Sequence, residues 1–368
     1  MSVKIGSLLG IPIRLHYTLV LAVLLIAWTL SVSLSPPFSS LEAWTIGIVG
    51  AIALFTSVLA HELAHSYVAV KNGLPVKRIV LFIFGGVSEI EEEPKSPGVE
   101  FKMALVGPAS SIIIGVVVML LWFASTELNL SPLIIAPLQY VGLINLLLGG
   151  FNLVPAFPMD GGRVLRAVLW RGKKDLVEAT KTATSVGVAF SYLFMLGGFV
   201  VIFLGSLISG IWFILIGWFL RNGAESSLRQ TIVSEALAGV AVSDIMTQDV
   251  HTVEPDIPLK DIVDDYFSKY KHGGFPVAKN SSLLGLVTIE DVRKVPKEKW
   301  PEIKVAEVMT PCEKLTCLKA KDSALDAFVR MSKGEIGRLP VREDGKLVGI
   351  VSRSDILRAI KVRTELGS

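Results

Sequence analysis

Residues 58–70 read VLAHELAHSYVAV, and this stretch places two imidazoles and a carboxylate inside a long apolar run. Because His61 and His65 are four residues apart, a helix presents both imidazoles on one face, with Glu62 on the next ridge. In this H-E-x-x-H pattern two neutral imidazoles bind Zn²⁺ and the glutamate takes a proton from the attacking water. The alternative is a histidine pair whose hydrogen bonds are satisfied by neighbouring helices. The complete motif in an apolar helix favours a zinc site with Glu62 as the catalytic base.

The flanking sequence predicts a membrane protein. The chain of 368 residues is 51% hydrophobic with a mean hydropathy of +0.59, which is too high for an ordinary soluble enzyme. A bilayer-spanning helix needs about 17 to 25 apolar residues. Of six apolar runs, all except the last approach or exceed this length, and the last is short: 17–34, 43–70, 103–124, 133–154, 185–205 and 208–220. We therefore predict about six transmembrane helices in a multi-pass protein of the cell membrane.

The charges between these runs predict the topology. Lys and Arg are found in the gaps 1–16, 71–102 and 163–181, whereas the intervening gaps 35–42, 125–132 and 206–210 contain none. By the positive-inside rule, both termini face the cytoplasm. The net charge of +3, without a basic stripe, excludes nucleic acid as an expected partner. Cys312 and Cys317 provide no disulfide framework and are interpreted as ordinary thiols.

A catalytic zinc usually has three protein ligands, so a third is needed besides the two histidines. His16 lies at the cytoplasmic mouth of the first span, and His251 and His272 lie in the more polar C-terminal part. The remaining candidate is Asp160, within NLVPAFPMDGG (152–162), where prolines and glycines interrupt the helix so that a carboxylate can reach inward. Asp160 could instead cap the helix that follows. Its coincidence with an intramembrane H-E-x-x-H favours ligation of one Zn²⁺ per chain.

These motifs resemble those of the site-2 proteases, the intramembrane zinc metalloproteases. HELAH at 61–65 and the N-x-x-P-x-x-P-M-D-G-G pattern carry the resemblance, which covers about residues 1–222. It implies an endopeptidase that cleaves the transmembrane segments of single-span substrates within the lipid bilayer, with Asn152 assisting substrate or oxyanion binding.

KRIVLFIFGGVSEIE (77–91) also looks like a feature of that family, its membrane-dipping β-hairpin. The residues themselves predict strand, turn and strand, broken at Gly85 and Gly86. An exposed edge there could bind an unwound substrate by strand addition. A plain hairpin without a substrate role is the alternative.

The C-terminal part contains a duplicated module. VSDIMTQDV (242–250) aligns with VAEVMTPCE (305–313), and LLGLVTIEDV (283–292) aligns with LVGIVSRSDI (347–356), at offsets of 63 or 64 residues. Each copy predicts a small α/β unit with strands and an amphipathic helix. The duplication resembles a tandem pair of CBS domains, covering roughly 242–362, a module that commonly binds adenine nucleotides and often dimerises.

Both copies carry a hydroxyl and an aspartate where a strand meets a helix, namely Thr288 with Asp291 and Ser352 with Asp355. A hydroxyl at a helix N-terminus can bind phosphate, and an aspartate can accept hydrogen bonds from ribose. These residues are therefore candidates for binding ATP or AMP as a regulatory ligand. The alternative is that each pair only caps its helix.

The sequence thus predicts a polytopic α-helical membrane protein followed by a cytoplasmic α/β tandem CBS domain. We expect a protease domain over 1–222, a linker over 223–241 and CBS domains over 242–300 and 301–368. A homodimer through the CBS domains is a further expectation. The competing hypothesis is a CBS-gated transporter or channel without protease activity. It would not need an H-E-x-x-H with a distant aspartate, and no internal repeat is apparent among the six apolar runs.

Overall fold

The computed structural model describes residues 2–34, 38–83, 85–90, 92–280, 282–334 and 336–366. The chain divides into two compact units, Met1–Arg229 and Gln230–Ser368, and each has hydrophobic clusters of its own. The predicted linker 223–241 is helical as far as Leu237.

Long apolar helices dominate the first unit. The helices that begin there, among the described residues, are α1 Thr18–Leu34, α2 Ser40–Lys71, α3 Pro97–Glu127, α4 Pro132–Asn152, α5 Asp160–Lys173, α6 Leu176–Phe203 and α7 Leu207–Leu237. Five of them, α2, α3, α4, α6 and α7, are long and apolar enough to cross a membrane, whereas α1 has only 17 residues. Each predicted apolar run therefore corresponds to a helix, and the five longest helices support a membrane protein.

A four-stranded sheet accompanies these helices in the order β1-β2-β3-β4. Its strands are β1 Ser2–Leu8, β2 Ile11–His16, β3 Val76–Phe82 and β4 Gly85–Ile90. The predicted hairpin is present as the antiparallel pair β3 and β4, although Phe84 and Glu91 lie outside the described residues. The two glycines are the first residues of β4, opposite Leu81 and Phe82.

The N-terminal part of this sheet was not predicted. Residues before the first apolar run form the antiparallel pair β1 and β2, and β2 then pairs in parallel with β3. In β2 the side chains of Ile11 and Ile13 are buried, whereas the polar and charged residues interspersed in this stretch obscure its alternating pattern. The parallel pairing joins segments more than 60 residues apart, as in Ile13 opposite Ile79.

The second unit consists of short helices around a sheet. Its strands are β5 Gly274–Lys279, β6 Ser282–Thr288, β7 Thr310–Pro311, β8 Arg338–Glu343 and β9 Lys346–Ser352, in the order β5-β6-β9-β8 with β7 paired to β6. The helices are α8 Val242–Ile245, α9 Leu259–Asp261, α10 Ser268–Tyr270, α11 Ile289–Arg293, α12 Val305–Val308, α13 Ala324–Gly334 and α14 Arg353–Leu366, with a π-helical stretch Ile262–Phe267 joining α9 to α10.

The two copies share their hairpin register but exchange their first segments. Gly274 pairs with Thr288 in one hairpin and Arg338 with Ser352 in the other, with a register shift after the fourth pair in each. The Val242 N–H donates to Asp322 O at 2.8 Å, whereas the Val305 N–H donates to Ile257 O at 3.0 Å. The first segment of each copy therefore packs with the other copy, and the two copies form one cooperative module.

Candidate metal centre

Helix α2 holds the two histidines in the geometry that their spacing predicts. His61 Nε2 and His65 Nε2 are 3.0 Å apart, and both residues are buried, with relative exposures of 5% and 6%. The spacing of four residues places the rings one above the other along the helix. Two ring nitrogens therefore converge on one point inside the first unit.

Asp160 completes a triangle with these two nitrogens. Its Oδ2 lies 3.2 Å from His61 Nε2 and 3.1 Å from His65 Nε2. Asp160 is the first residue of α5, whose N-cap is Met159, so its carboxylate faces the histidines instead of capping the helix. The structure thus brings together the three residues predicted as metal ligands, although 95 residues separate His65 from Asp160 in the chain.

Helix α3 fixes the opposite side of both imidazoles. His65 Nδ1 donates to the Met103 carbonyl at 2.7 Å, and His61 Nδ1 lies 2.9 Å from Ser111 Oγ. Because a carbonyl can only accept, Nδ1 of His65 carries the proton, and in the neutral ring Nε2 keeps its lone pair. A hydrogen bond to the outer nitrogen is the usual support of a metal-ligating histidine. Sequence reasoning did not identify Met103 or Ser111 in this role.

Gly107 lies between these two contacts on α3. A Cβ built at this position would lie 2.1 Å from His65 Nε2 and 2.8 Å from His61 Nε2, far inside van der Waals contact. One face of α3 approaches the histidines, because its three contacting residues are spaced four apart: Met103, Gly107 and Ser111. Small residues such as glycine permit close approach of helices, and the close approach here is at the candidate metal centre itself.

The donor set fits zinc. Two imidazole nitrogens and one carboxylate oxygen lie within 3.0–3.2 Å of one another. Donors at zinc-ligand distances around a tetrahedral ion lie about 3.4 Å apart, so the triangle needs to widen by only a few tenths of an ångström. Three protein ligands leave the fourth position for water or substrate, the arrangement of a catalytic zinc.

Glu62 is held beside this centre by strand β4. Ser88 Oγ donates to Glu62 Oε2 at 2.7 Å, and Ser66 Oγ donates to Ser88 Oγ at 3.1 Å. A Cβ added to Gly86 would lie 2.5 Å from Glu62 Cγ, so the strand can approach the glutamate only with glycine there. One of the two glycines predicted for substrate binding therefore contacts the predicted base.

A buried ion pair joins α3 to α5 near Asp160, the predicted carboxylate ligand. Arg166 Nε donates to Glu100 Oε1 at 2.7 Å, with relative exposures of 4% and 0%, and the Arg166 Nη2 contacts the same oxygen. The guanidinium also lies 5.4 Å from the ring centroid of Phe157, in the segment before Asp160. The pair orients the helix whose first residue is Asp160.

Comparison with known proteins identifies the family. The profile described as Peptidase family M50 matches residues 49–131 and 127–195. Zinc metalloprotease MJ0392 of Methanocaldococcus jannaschii is 34% identical over 98% of this chain and 96% of its own length. Rip3 of Mycobacterium tuberculosis is 31% identical over 98% of this chain and 93% of its own. The chain belongs to peptidase family M50.

The same comparison covers the C-terminal module. The CBS domain profile matches residues 242–298 and 305–362 of this M50 peptidase. A solved structure named Site-2 Protease from Methanocaldococcus jannaschii is 36% identical, covers 61% of this chain and 94% of its own, and has a TM-score of 0.43. The resemblance to site-2 proteases with a CBS pair is confirmed, and the protein is a zinc metalloendopeptidase with several apolar helices. The competing hypothesis of a transporter or channel is not favoured.

The remaining predicted substrate residues of this M50 peptidase lie at the ends of their elements. Asn152 is the last residue of α4 and is half-buried. Gly85 is the first residue of β4 and has a φ of +129°. A Cβ at this position would meet no atom within 4 Å. The positive φ explains the glycine at this point, since other residues rarely adopt it. β4 forms an edge of the four-stranded sheet.

The four residues predicted to bind nucleotide form two capping boxes. Thr288 Oγ1 lies 2.7 Å from Asp291 Oδ2, and Ser352 Oγ lies 2.6 Å from Asp355 Oδ2. Each aspartate also accepts from the backbone N–H of its hydroxyl partner, at 3.1 Å and 2.9 Å. The arrangement is the same in both copies and is that of helix N-caps. A cleft of about 360 Å³ lies beside one box, lined by Asp244, Asp355, Arg358, Arg363 and apolar neighbours.

Proposed function

We propose that this M50 peptidase is an intramembrane endopeptidase with one Zn²⁺ held by His61, His65 and Asp160. The observation that carries the proposal is the convergence of their three donor atoms within 3.0–3.2 Å. When bound, zinc supplies a Lewis acid that polarises the scissile carbonyl and acidifies the attacking water. The outer hydrogen bonds of the two imidazoles keep their Nε2 atoms available as ligands.

Glu62 would act as general base and then as general acid. Its carboxylate would accept the proton of the attacking water and pass it to the leaving amine. The Ser88 hydrogen bond to Oε2 supports this role because it holds the carboxylate in one orientation and leaves Oε1 without that donor. Glu62 directly follows His61 on α2, so its side chain projects from the neighbouring ridge of the same helix.

The substrates would be single-span membrane proteins, cleaved within their transmembrane segments. Two observations support this class: α2, which carries the histidines, is long and apolar enough to span a bilayer, and β4 is a sheet edge beside Glu62. An unwound substrate segment would add to that edge near Gly85 and Gly86, because strand addition presents an extended peptide with accessible carbonyls. Asn152 would bind the substrate backbone or the developing oxyanion.

The protein would cross the cell membrane six times, through the five longer apolar helices and the shorter α1. Strands β3 and β4 would dip into the bilayer. The alternation of basic residues between the apolar runs supports placing both termini and the CBS pair in the cytoplasm. Backbone that is neither helical nor in a closed barrel is tolerated at membrane depth only against protein or a water-filled cavity. The contacts of β4 with α2 provide that protein surface.

Glu62→Gln and Asp160→Ala test the proposed roles separately. We expect Glu62→Gln to abolish cleavage of single-span substrates in detergent while one zinc per chain remains, because Glu62 is not a ligand. Asp160→Ala should lower both zinc content and activity, since it removes a ligand. Glu127→Gln is the matched control: it lies at the end of α3, 16 residues and about 24 Å along the helix from Ser111. Full activity of Glu62→Gln would refute the mechanism, and unchanged zinc content of Asp160→Ala would refute the ligand set.

Regulation by ATP or AMP is the second part of the proposal. The repeated Thr288–Asp291 and Ser352–Asp355 pairs support it, as does the cleft beside Asp355 with two arginines in its lining. Calorimetry of the full-length protein with ATP and with AMP, paired with cleavage assays, tests it. We expect binding that is lost when both aspartates are replaced by alanine, with zinc content unchanged. If neither nucleotide binds, the two aspartates only cap their helices and the CBS pair serves for dimerisation. Light scattering of the purified protein should then show a dimer.

A further inference from the structure

The second unit contains two thiols that lie against each other. Cys312 and Cys317 are both free and half-buried, and the two thiols lie close enough to interact. They are the two cysteines of the entire sequence. Neither the zinc centre nor the capping boxes involve them, so their contact needs a separate explanation.

The local backbone brings the two thiols together. Cys312 begins a 3₁₀ turn, Cys312–Lys314, which the Leu315 N–H closes by donating to Cys312 O at 3.1 Å. After this reversal the chain continues to Cys317, and the next residue, Leu318, donates its N–H to Pro340 O at 2.9 Å. The turn is therefore held at its end by strand β8, with one cysteine at its start and the other just before the strand contact.

The guanidinium of Arg342 contacts the sulfur of Cys312. Arg342 Nη1 donates to Cys312 Sγ at 3.1 Å. The backbone N–H of Arg342 donates to Leu318 O at 2.8 Å, so Arg342 is held beside the turn. Burial raises the pKa of the Cys317 thiol, and the neighbouring Cys312 raises it further. The two sulfurs are thus unequal: Arg342 donates a hydrogen bond to the sulfur of Cys312, whereas the raised pKa of Cys317 keeps its proton on until needed, so Cys312 is the one suited to attack.

We propose that Cys312 and Cys317 are a peroxide-sensitive dithiol that closes into an intramolecular disulfide. The Cys312 thiolate attacks one oxygen of hydrogen peroxide, the O–O bond breaks, and the released hydroxide takes a proton to become water. Cys312 is then a sulfenic acid. The sulfur of Cys317, after losing its proton, attacks Sγ of Cys312 and expels the second oxygen as water. In sum two thiols and one peroxide give one disulfide and two waters.

The disulfide would restrict the segment that runs from the first CBS copy to the second. Immediately before Cys312, β7 pairs with β6 of the first copy, with Pro311 opposite Gly285. Immediately after Cys317, Leu318 pairs with Val341 of the second copy. A ring from 312 to 317 would therefore limit the motion of this crossing segment.

Peroxide titration of the purified full-length protein tests the proposal. We expect micromolar hydrogen peroxide to remove both alkylatable thiols from each chain and to lower the mass of the peptide that contains them by about 2 Da, the loss of two hydrogens. Dithiothreitol should restore both thiols. Amide exchange of residues 310–318 should slow in the oxidised protein, whereas exchange at the 343–346 turn should not change.

Three variants distinguish the two sulfurs and the cation. Cys317→Ser should accumulate a sulfenic acid on Cys312 that dimedone traps, whereas in Cys312→Ser the remaining thiol should stay alkylatable. Arg342→Gln should slow thiol loss about threefold, because it removes the cationic hydrogen-bond donor at the attacking sulfur. Thiols that survive peroxide, a disulfide between two chains, or dimedone trapping on Cys317 instead of Cys312 would each overturn the proposal.

Discussion

Replacement of Gly107 by alanine should disrupt the metal centre. In the interior of a helix, glycine to alanine is ordinarily favourable by about 0.5 to 1 kcal/mol, because alanine loses less backbone entropy on folding. At Gly107 the added methyl would lie 2.1 Å from His65 Nε2, 2.4 Å from His65 Cε1 and 2.8 Å from His61 Nε2. The usual gain is therefore opposed by a direct clash with both predicted ligands.

The size of the clash sets the size of the effect. To restore an ordinary carbon–nitrogen contact, the imidazole of His65 or helix α3 would have to retreat by about 1 Å or more, whereas the distances of a metal site hold to about 0.2 Å. A retreat of α3 would also lengthen the hydrogen bond from His65 Nδ1 to Met103 O, now 2.7 Å. Loss of such outer contacts alone costs about 10- to 100-fold in metal affinity, so with the ligand itself displaced we expect at least about a 100-fold loss.

Metal content and chelator competition measure this loss directly. Gly98→Ala is the matched control, because Gly98 lies on the same helix, where a Cβ would meet nothing within 4 Å. We expect the control to retain one zinc per chain and full cleavage of single-span substrates, whereas Gly107→Ala loses both while remaining folded by circular dichroism. If Gly107→Ala kept its zinc and its cleavage rate, α3 could not approach the histidines as closely as described, and the reasoning would fail.

Three further changes probe the surroundings of the centre. Ser88→Ala should lower kcat about tenfold with zinc content unchanged, because the carboxylate of Glu62 loses its orienting donor; single-turnover cleavage measures this. Glu100→Gln should destabilise the protein by about 3 to 5 kcal/mol, since the buried guanidinium of Arg166 would face a neutral amide, whereas Glu100→Leu with Arg166→Met should recover most of that loss in thermal unfolding. Asp291→Ala should cost about 1 kcal/mol because its carboxylate no longer accepts from the Thr288 backbone N–H, and an unchanged unfolding temperature would contradict this capping-box role.

Local periodicity explains why part of the centre could be predicted from the sequence. The spacing of His61 and His65 determines their shared face in any helix, and an apolar run long enough to span a bilayer makes the helix itself a safe prediction. Asp160 followed from elimination, because few carboxylates lie at membrane depth beside a break in a helix. The CBS pair followed from repetition, which needs no knowledge of contacts.

The features that the sequence did not predict depend on contacts between distant segments of the chain. The pairing of β2 with β3 joins residues more than 60 positions apart, and the exchange of first segments between the CBS copies reverses the arrangement that their order in the chain suggests. Ser111 and the Met103 carbonyl carry no motif of their own, since serine is common in apolar helices and any residue has a carbonyl. The signal that could have found them is the four-residue spacing about Gly107.

That spacing makes α3 the element that positions all three predicted ligands. Its residues Met103 and Ser111 hold the two imidazoles, and Gly107 between them allows the helix to approach. One turn before Met103 on the same helix, Glu100 holds Arg166 of α5, the helix that begins with Asp160. Because the contacts at 100, 103, 107 and 111 repeat with the period of the helix, a rotation of α3 would disturb both histidines and the carboxylate together. The geometry of the zinc centre is therefore encoded as much in α3, which supplies no ligand, as in the H-E-x-x-H helix itself.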